Sequence, residues 1–140
     1  MKERQMGNDA ILERLNADWP ASVATLRGVA VAFSESDETL DMEFEAVEMF
    51  CHSGDVVQGG YITGMLDAVM AYSVIGIPDV CKMVATLEIK VNFMSAGRPG
   101  PMLAKGRVIH RGRSIAFLAG ELYQKNRLIA TATSTVKLLK

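Results

Sequence analysis

The chain is poor in the residues that build metal and disulfide sites. Its 140 residues contain two cysteines and two histidines. Cys51 and Cys81 form no CxxC pair, and with His52 and His110 they make no recognisable ligand spacing. Neither a zinc centre nor a disulfide framework is supported, and both thiols read as small buried hydrophobes. An excess of charge of one sign is also missing: fifteen basic residues face sixteen acidic ones, for a net charge of −1. No bulk attraction to nucleic acid or an anionic membrane is expected. Eighteen uninterrupted apolar residues occur nowhere, because the central run is broken by Gln58, Gly59, Gly60, Gly64 and Asp67. The opening MKERQMGND has no apolar core of the kind a secretory signal needs. A soluble, cytoplasmic protein without a metal or redox cofactor is expected. No repeat, low-complexity tract or linker divides it, so residues 1–140 should form one domain.

What is present is a change of hydrophobic period along the chain. Asn8 or Asp9 can cap a short helix through about Asn16, with Ile11, Leu12 and Leu15 on one side. Trp19-Pro20 ends it, because the residue before a proline disfavours the helical region. Residues 1–24 thus read as a helical extension that packs over a sheet edge or, through Trp19, lines a pocket. From Gly28 the period becomes two. Val29, Val31 and Phe33, then Leu40, Met42 and Phe44, describe an antiparallel hairpin around a polar turn at 34–38.

The segment HSGDVVQGGYITGMLDAVMAYSVIGIP, residues 52–78, carries the anomaly. Gly59-Gly60 and Gly76-Ile77-Pro78 bracket a helix of about 15 residues. Ile62, Met65, Leu66, Val69, Met70, Tyr72 and Val74 surround it, which predicts burial on most sides. Within that run Asp67 is the one charge, and a buried lone carboxylate is costly unless compensated. Four further strands follow, with Leu87, Ile89, Val91 and Phe93 alternating in the first. Met102–His110, Ser114–Gln124 and Leu128–Leu139 make the others, joined by turns at Arg111-Gly112 and Lys125-Asn126. The plan is α+β: two early strands, one central helix and a four-strand meander, an antiparallel sheet curled around one long helix.

Gly59 and Asp67 stand eight residues apart on that helix, or ~12 Å along its axis. One carbonyl cannot meet both in one chain. A reaction using both needs a second copy whose helix runs antiparallel across a two-fold axis. A homodimer with two shared sites is expected on that ground.

The motif His52-Ser53-Gly54-Asp55-Val56-Val57-Gln58-Gly59-Gly60, then Asp67, then 86–96 with Phe93, resembles the hotdog-fold acyl-CoA thioesterases. The resemblance is to the phenylacetate-pathway (PaaI-like) and 4-hydroxybenzoyl-CoA group, over roughly residues 25–139. It implies a hotdog fold, hydrolysis of acyl-CoA to a carboxylic acid and free CoA, and a shared-site dimer, with two such dimers pairing into a tetramer. The family usually has Asn or Gln where this chain has His52, His where it has Gln58, and Pro where it has Ala96.

Thioester hydrolysis needs an oxyanion donor and either a base for water or a carboxylate nucleophile. A glycine-rich helix start supplies free N–H groups without an obstructing Cβ. Gly59 fits the main oxyanion donor, with Gly60 beside it as a CoA contact, and Asp67 fits the base or nucleophile. Asp67 has a structural alternative, a carboxylate hydrogen-bonded to a strand or a partner helix. His52, Gln58 and Thr86 are auxiliaries: His52 could orient water, Gln58 could hold substrate or a loop, and Thr86 stands where relatives often carry Ser or Thr near the water. Cys51 is no partner for His52, since neighbouring strand residues point to opposite faces. Arg98, Lys105, Arg107, Arg111 and Arg113 form the one concentration of positive charge. Of these Arg98, Arg111 and Arg113 are candidates for the CoA phosphates, against a solvated strand face. Trp19, Tyr61, Met65 and Met94 are candidate pocket walls. Two other functions compete: a non-catalytic acyl-CoA-binding module, and an enoyl-thioester hydratase, which lacks here an Asp followed closely by His on the helix.

Overall fold

This computed structural model describes residues 2–140, with side chains described from Gly7 onward. The elements are α1 (Lys2–Ala17), α2 (Ala21–Thr25), β1 (Val29–Ser34), β2 (Thr39–Ala46), β3 (Cys51–Ser53), β4 (Val56–Val57), α3 (Gly59–Ile75), β5 (Met83–Phe93), β6 (Gly100–Arg111), β7 (Ile115–Gln124) and β8 (Arg127–Leu139). Six strands form one antiparallel sheet in the order β1-β2-β6-β7-β8-β5, and β3-β4 form a small separate hairpin. Its inner face holds α3, giving the α+β hotdog arrangement. No described helix is long and apolar enough to cross a membrane.

Alternation sets which face of each strand is inward. Leu40, Met42 and Phe44 on β2, Met102 and Ala104 on β6, and Leu118 and Leu122 on β7 are buried against α3. Across the middle of the sheet the register aligns Leu40, Gly106, Gly120 and Ala132. Two glycines in that row let the helix settle onto the strands. A Cβ at Gly106 would stand 2.4 Å from the Val69 carbonyl oxygen, and one at Gly120 would stand 3.0 Å from Met70 Cγ. The tight β7–β8 connection uses Lys125 and Asn126 at φ 51 and 64, the two positive angles of a type I′ hairpin.

Several expectations are corrected. There is no four-strand meander: β5 pairs with β8, while β6 crosses over to extend the β1-β2 hairpin. The loop of residues 94–99 is long enough for that crossing, and β6 finds in β2 a partner over eight residue pairs. In β1 the outward pair Val29 and Val31 is 48% and 39% exposed, while Ala30 and Phe33 are buried. A register shift between Ala30 and Ala32 reverses the alternation there. Leu87 is likewise turned outward at a shift between Thr86 and Glu88. The first helix begins by Lys2, so Asn8 and Asp9 lie inside it and cap nothing. Asn8 Oδ1 instead accepts the Glu35 N–H at 3.2 Å.

The N-terminal extension covers one sheet edge. Ile11 and Leu15 join the core. Asn16 imitates a strand against β1: its Oδ1 accepts the Ala30 N–H at 2.8 Å and its Nδ2 donates to the Ala30 carbonyl at 2.9 Å. Arg14 donates to the Gly76 carbonyl at the end of α3. Trp19 stands edge-on to Tyr72, ring centres 4.9 Å apart, and its Nε1 donates to Asn16 Oδ1. The opposite edge, β5, keeps Met83, Leu87 and Phe93 half exposed.

Candidate active site

The helix α3 has two unlike faces. Ile62, Met65, Leu66, Val69, Met70, Ser73 and Val74 are buried in the core. Gly60, Thr63, Gly64, Asp67, Ala68 and Ala71 lie on the other side, where none is fully buried. The expectation of burial on most sides thus holds for one face alone: on the other, glycines and alanines make the run look apolar without reaching into a core. Asp67 is half-buried and stands on this second face.

Its carboxylate is held from the strand beside it. Thr86 on β5 donates through Oγ1 to Asp67 Oδ1 at 3.0 Å. Both residues line a cavity of about 380 Å³ between α2, α3 and the start of β5, whose other walls include Leu26, Gly64, Ala68, Ala71 and Tyr72. Burial pushes the Tyr72 hydroxyl above its ordinary pKa.

Gly59 opens into a different space. A cavity of about 390 Å³ is lined by His52, Val57, Gly59, Ile62, Phe93 and Ala96 among others, and shares no residue with the first. The Gly59 N–H, at the first turn of α3, meets no acceptor among the described residues. The Phe93 ring lies against Gly59, 3.1 Å from where a Cβ would be. His52 is exposed on β3 and its Nδ1 is 2.7 Å from Ser53 Oγ.

Gln58 and Gly60 are occupied with each other. Gln58 is the N-cap of α3, and its Oε1 accepts the Gly60 N–H at 2.8 Å. The side chain thus folds onto its own helix and lines neither cavity. The Gly60 N–H is correspondingly not free for a CoA oxygen. A glutamine can cap in this way because its backbone is extended at φ −66, ψ 137.

The positive patch is dispersed and largely neutralised. Lys105 pairs with Asp41, Arg107 with Glu121, Arg111 with Glu38 at 2.6 Å and Arg98 with Asp55 at 2.5 Å. The strand face alternates in charge because these basic residues have acidic neighbours, Asp41 and Glu121 directly opposite Lys105. Arg98 precedes the start of β6 and Arg111 ends it, with Arg113 in the following turn, so twelve residues of extended strand separate the two groups. At ~3.4 Å per residue this is nearly 40 Å, too far for one phosphate group to touch both within one chain.

Cys51 and Cys81 are free and half-buried rather than fully inside. Burial raises the Cys81 thiol pKa, against the lowering influence of Lys140 and Arg111. Among the described residues no group of three or more His, Cys, Asp or Glu side chains could hold a metal ion. The open wall of Gly64, Ala68 and Ala71 beside Asp67 is not among the residues expected from the sequence. Its small residues at i, i+4 and i+7 were the available signal.

The chain resembles proteins of known family along most of its length. A family model described as the thioesterase superfamily matches residues 54–131. A Saccharolobus solfataricus protein that bears a provisional esterase name is 28% identical over 95 residues, and the match spans 67% of this chain but only 63% of that relative's length. The structure of a phenylacetic acid degradation-related protein from Ralstonia eutropha is similar with a TM-score of 0.85 at 31% identity, covering 92% of this chain and 98% of that one. A Streptococcus pneumoniae structure named as a hypothetical thioesterase with coenzyme A has a TM-score of 0.70 at 19% identity, covering 99% and 95%, and shows the fold alone. With its two-faced helix, its capped glycine start and these matches, the chain belongs to the thioesterase superfamily.

Proposed function

We propose that this protein hydrolyses acyl-CoA thioesters to a carboxylic acid and free CoA, at sites shared between two copies. The observation that carries the reading is the division of α3. A threonine-held carboxylate lies in one cavity, and an unpartnered N–H at the helix start lies in another. Each is half of what thioester hydrolysis requires. Antiparallel packing of two α3 helices would bring the Gly59 end of one beside Asp67 of the other. The half-buried stripe of Gly64, Ala68 and Ala71 supports close helix approach there, and the uncovered eleven-residue edge of β5 supports strand pairing. Asn16 closes the β1 edge against the same use.

In the shared site the Gly59 N–H donates to the thioester carbonyl oxygen, and its bond strengthens as that oxygen becomes anionic. Asp67 either takes a proton from the attacking water or attacks the carbonyl itself, forming an anhydride that water then opens. Either route places a water or carboxylate oxygen on the acyl carbon and expels CoA thiolate, which is protonated. Thr86 fixes the carboxylate orientation. His52, in the Gly59 cavity, lies on the side where the thioester would enter. The coenzyme A named in the Streptococcus pneumoniae structure supports the choice of thioester.

The test is release of free thiol from acyl-CoAs with short, long and aromatic acyl groups. Asp67→Asn is expected to lower turnover ~10²-fold or more with the fold intact. Near-wild-type turnover in a folded variant would overturn the assignment. Saturable acyl-CoA binding without product in the wild type would mark a binding module instead.

A further inference from the structure

The Asp67 cavity adjoins a charged space at its far end. α3 and β5 run antiparallel past each other: Gly59 meets Phe93, Asp67 meets Thr86, and Ile75 shares the cavity with Met83. Moving back along β5 from Thr86 to Lys82 therefore follows α3 from Asp67 to its end. Four strand residues cover ~14 Å and eight helical residues ~12 Å, so the two measures agree. Val23, Leu26, Ala71 and Tyr72 keep this stretch apolar. Ile75 is also a wall of a further cavity, of about 470 Å³, lined besides by Arg14, Asp79, Val80, Cys81, Lys82 and Lys140. Three cations thus face one carboxylate there. Pairing of β5 with β8 brings Lys82 to Lys140, since Met83 stands opposite Leu139 and the Lys82 N–H donates to the Leu139 carbonyl at 2.9 Å. Among the described residues none of the three cations is in an ion pair. Arg14 spends one guanidinium N–H on the Gly76 carbonyl at 3.0 Å and has others left. Burial pushes the Cys81 thiol up, so it stays neutral and adds no competing negative charge.

We infer that the acyl group this protein prefers ends in a second carboxylate, an ω-carboxyacyl thioester, with that carboxylate held by Arg14, Lys82 and Lys140 and its chain lying along the apolar stretch from Asp67. The inference rests on the thioesterase reading and names the acyl class that the Asp67 half receives. The span sets the length. At ~1.3 Å of advance per carbon, from C–C bonds of ~1.5 Å, 12–14 Å takes about ten carbons. A shorter diacid leaves its charge among apolar walls, where an unpaired carboxylate is costly. A methyl-ended chain of the same length reaches the cations but gives them nothing in return for lost water. A carboxylate gains charge-assisted bonds from the guanidinium and both ammonium groups, and the single Asp79 does not outweigh them.

The experiment measures kcat/KM by free-thiol release from decanedioyl-CoA, decanoyl-CoA and hexanedioyl-CoA. It uses the wild type, Lys82→Ala/Lys140→Ala and Lys82→Arg/Lys140→Arg, with thermal unfolding to verify each fold. Decanedioyl-CoA is expected to lead both other substrates by about tenfold or more in the wild type. Its lead over decanoyl-CoA should vanish in the alanine pair and persist in the arginine pair. A wild type that prefers decanoyl-CoA, that handles hexanedioyl-CoA equally well, or whose lead is unchanged in the folded alanine pair overturns the inference and leaves the thioesterase reading in place. Calorimetric binding of free decanedioate, with decanoate as the control, tests the cavity without turnover. Decanedioate should bind the wild type more tightly than decanoate and lose about tenfold in affinity in the alanine pair. If no acyl-CoA is hydrolysed but this loss is seen, the thioesterase reading fails and the carboxylate site stands. If decanedioate binds no better than decanoate, the carboxylate site fails.

Discussion

Asp67 looked expensive in the sequence because its neighbours are apolar, yet the side chain itself is only half-buried and is held by Thr86. The structural alternative for this residue, a hydrogen bond to a strand, and the functional one therefore coincide in one contact. A polar group that does lie in the core has no such partner. Ser134, 4% exposed on the inner face of β8, has an Oγ without a hydrogen bond among the described residues. A buried hydroxyl left unsatisfied carries its desolvation cost with no return. Ser134→Ala should accordingly raise the urea midpoint, by about 1 kcal/mol of stability, with the m-value unchanged. A loss of stability would mean that the hydroxyl is satisfied in solution.

At the scale of elements, helix-to-sheet contact is set by the row that contains Gly106 and Gly120. A methyl group on Gly106 would collide with the Val69 carbonyl, which is backbone and cannot rotate away. Gly106→Ala is expected to cost about 3 kcal/mol or more, read as a drop in the denaturant midpoint, because the whole helix must lift off the strands. The strands and α3 were legible in the sequence because period two and the glycine-bracketed apolar run are local signals. The pairing of β5 with β8 was not, since nothing local distinguishes a meander from a crossover through the loop of residues 94–99. Outward Val31 and Leu87 were misplaced for a related reason: an extra residue at a bulge shifts the alternation, and only the partner strand reveals it.

For the molecule as a whole, the two separate cavities along α3, both bordered by β5, make a directly testable statement about assembly. If each site combines Gly59 of one copy with Asp67 of another, two inactive variants should complement each other. Gly59→Val, whose new side chain meets the Phe93 ring, and Asp67→Asn would each be inactive alone. Mixed one to one after refolding, random pairing gives half mixed dimers with one intact site of two, hence about a quarter of wild-type turnover. Turnover no higher than either variant alone would place both groups of a site in one chain. Sedimentation of the mixture provides the matching measure of dimer content.

By itself the sequence determined the two longer helices and the six strands of the main sheet, though not α2 or the β3–β4 hairpin, together with the glycine-rich start of α3 and Asp67 as its singular charge, because each is written in spacing along one segment. It also placed Gly59 and Asp67 too far apart for one carbonyl, which is arithmetic on helix rise. Only the tertiary structure decided that Thr86 on β5 holds Asp67 on α3. It alone brought Lys82 and Lys140 to one cavity. The reason is the same in each case: these are contacts between residues whose meeting depends on strand order and register, and neither is set by local periodicity.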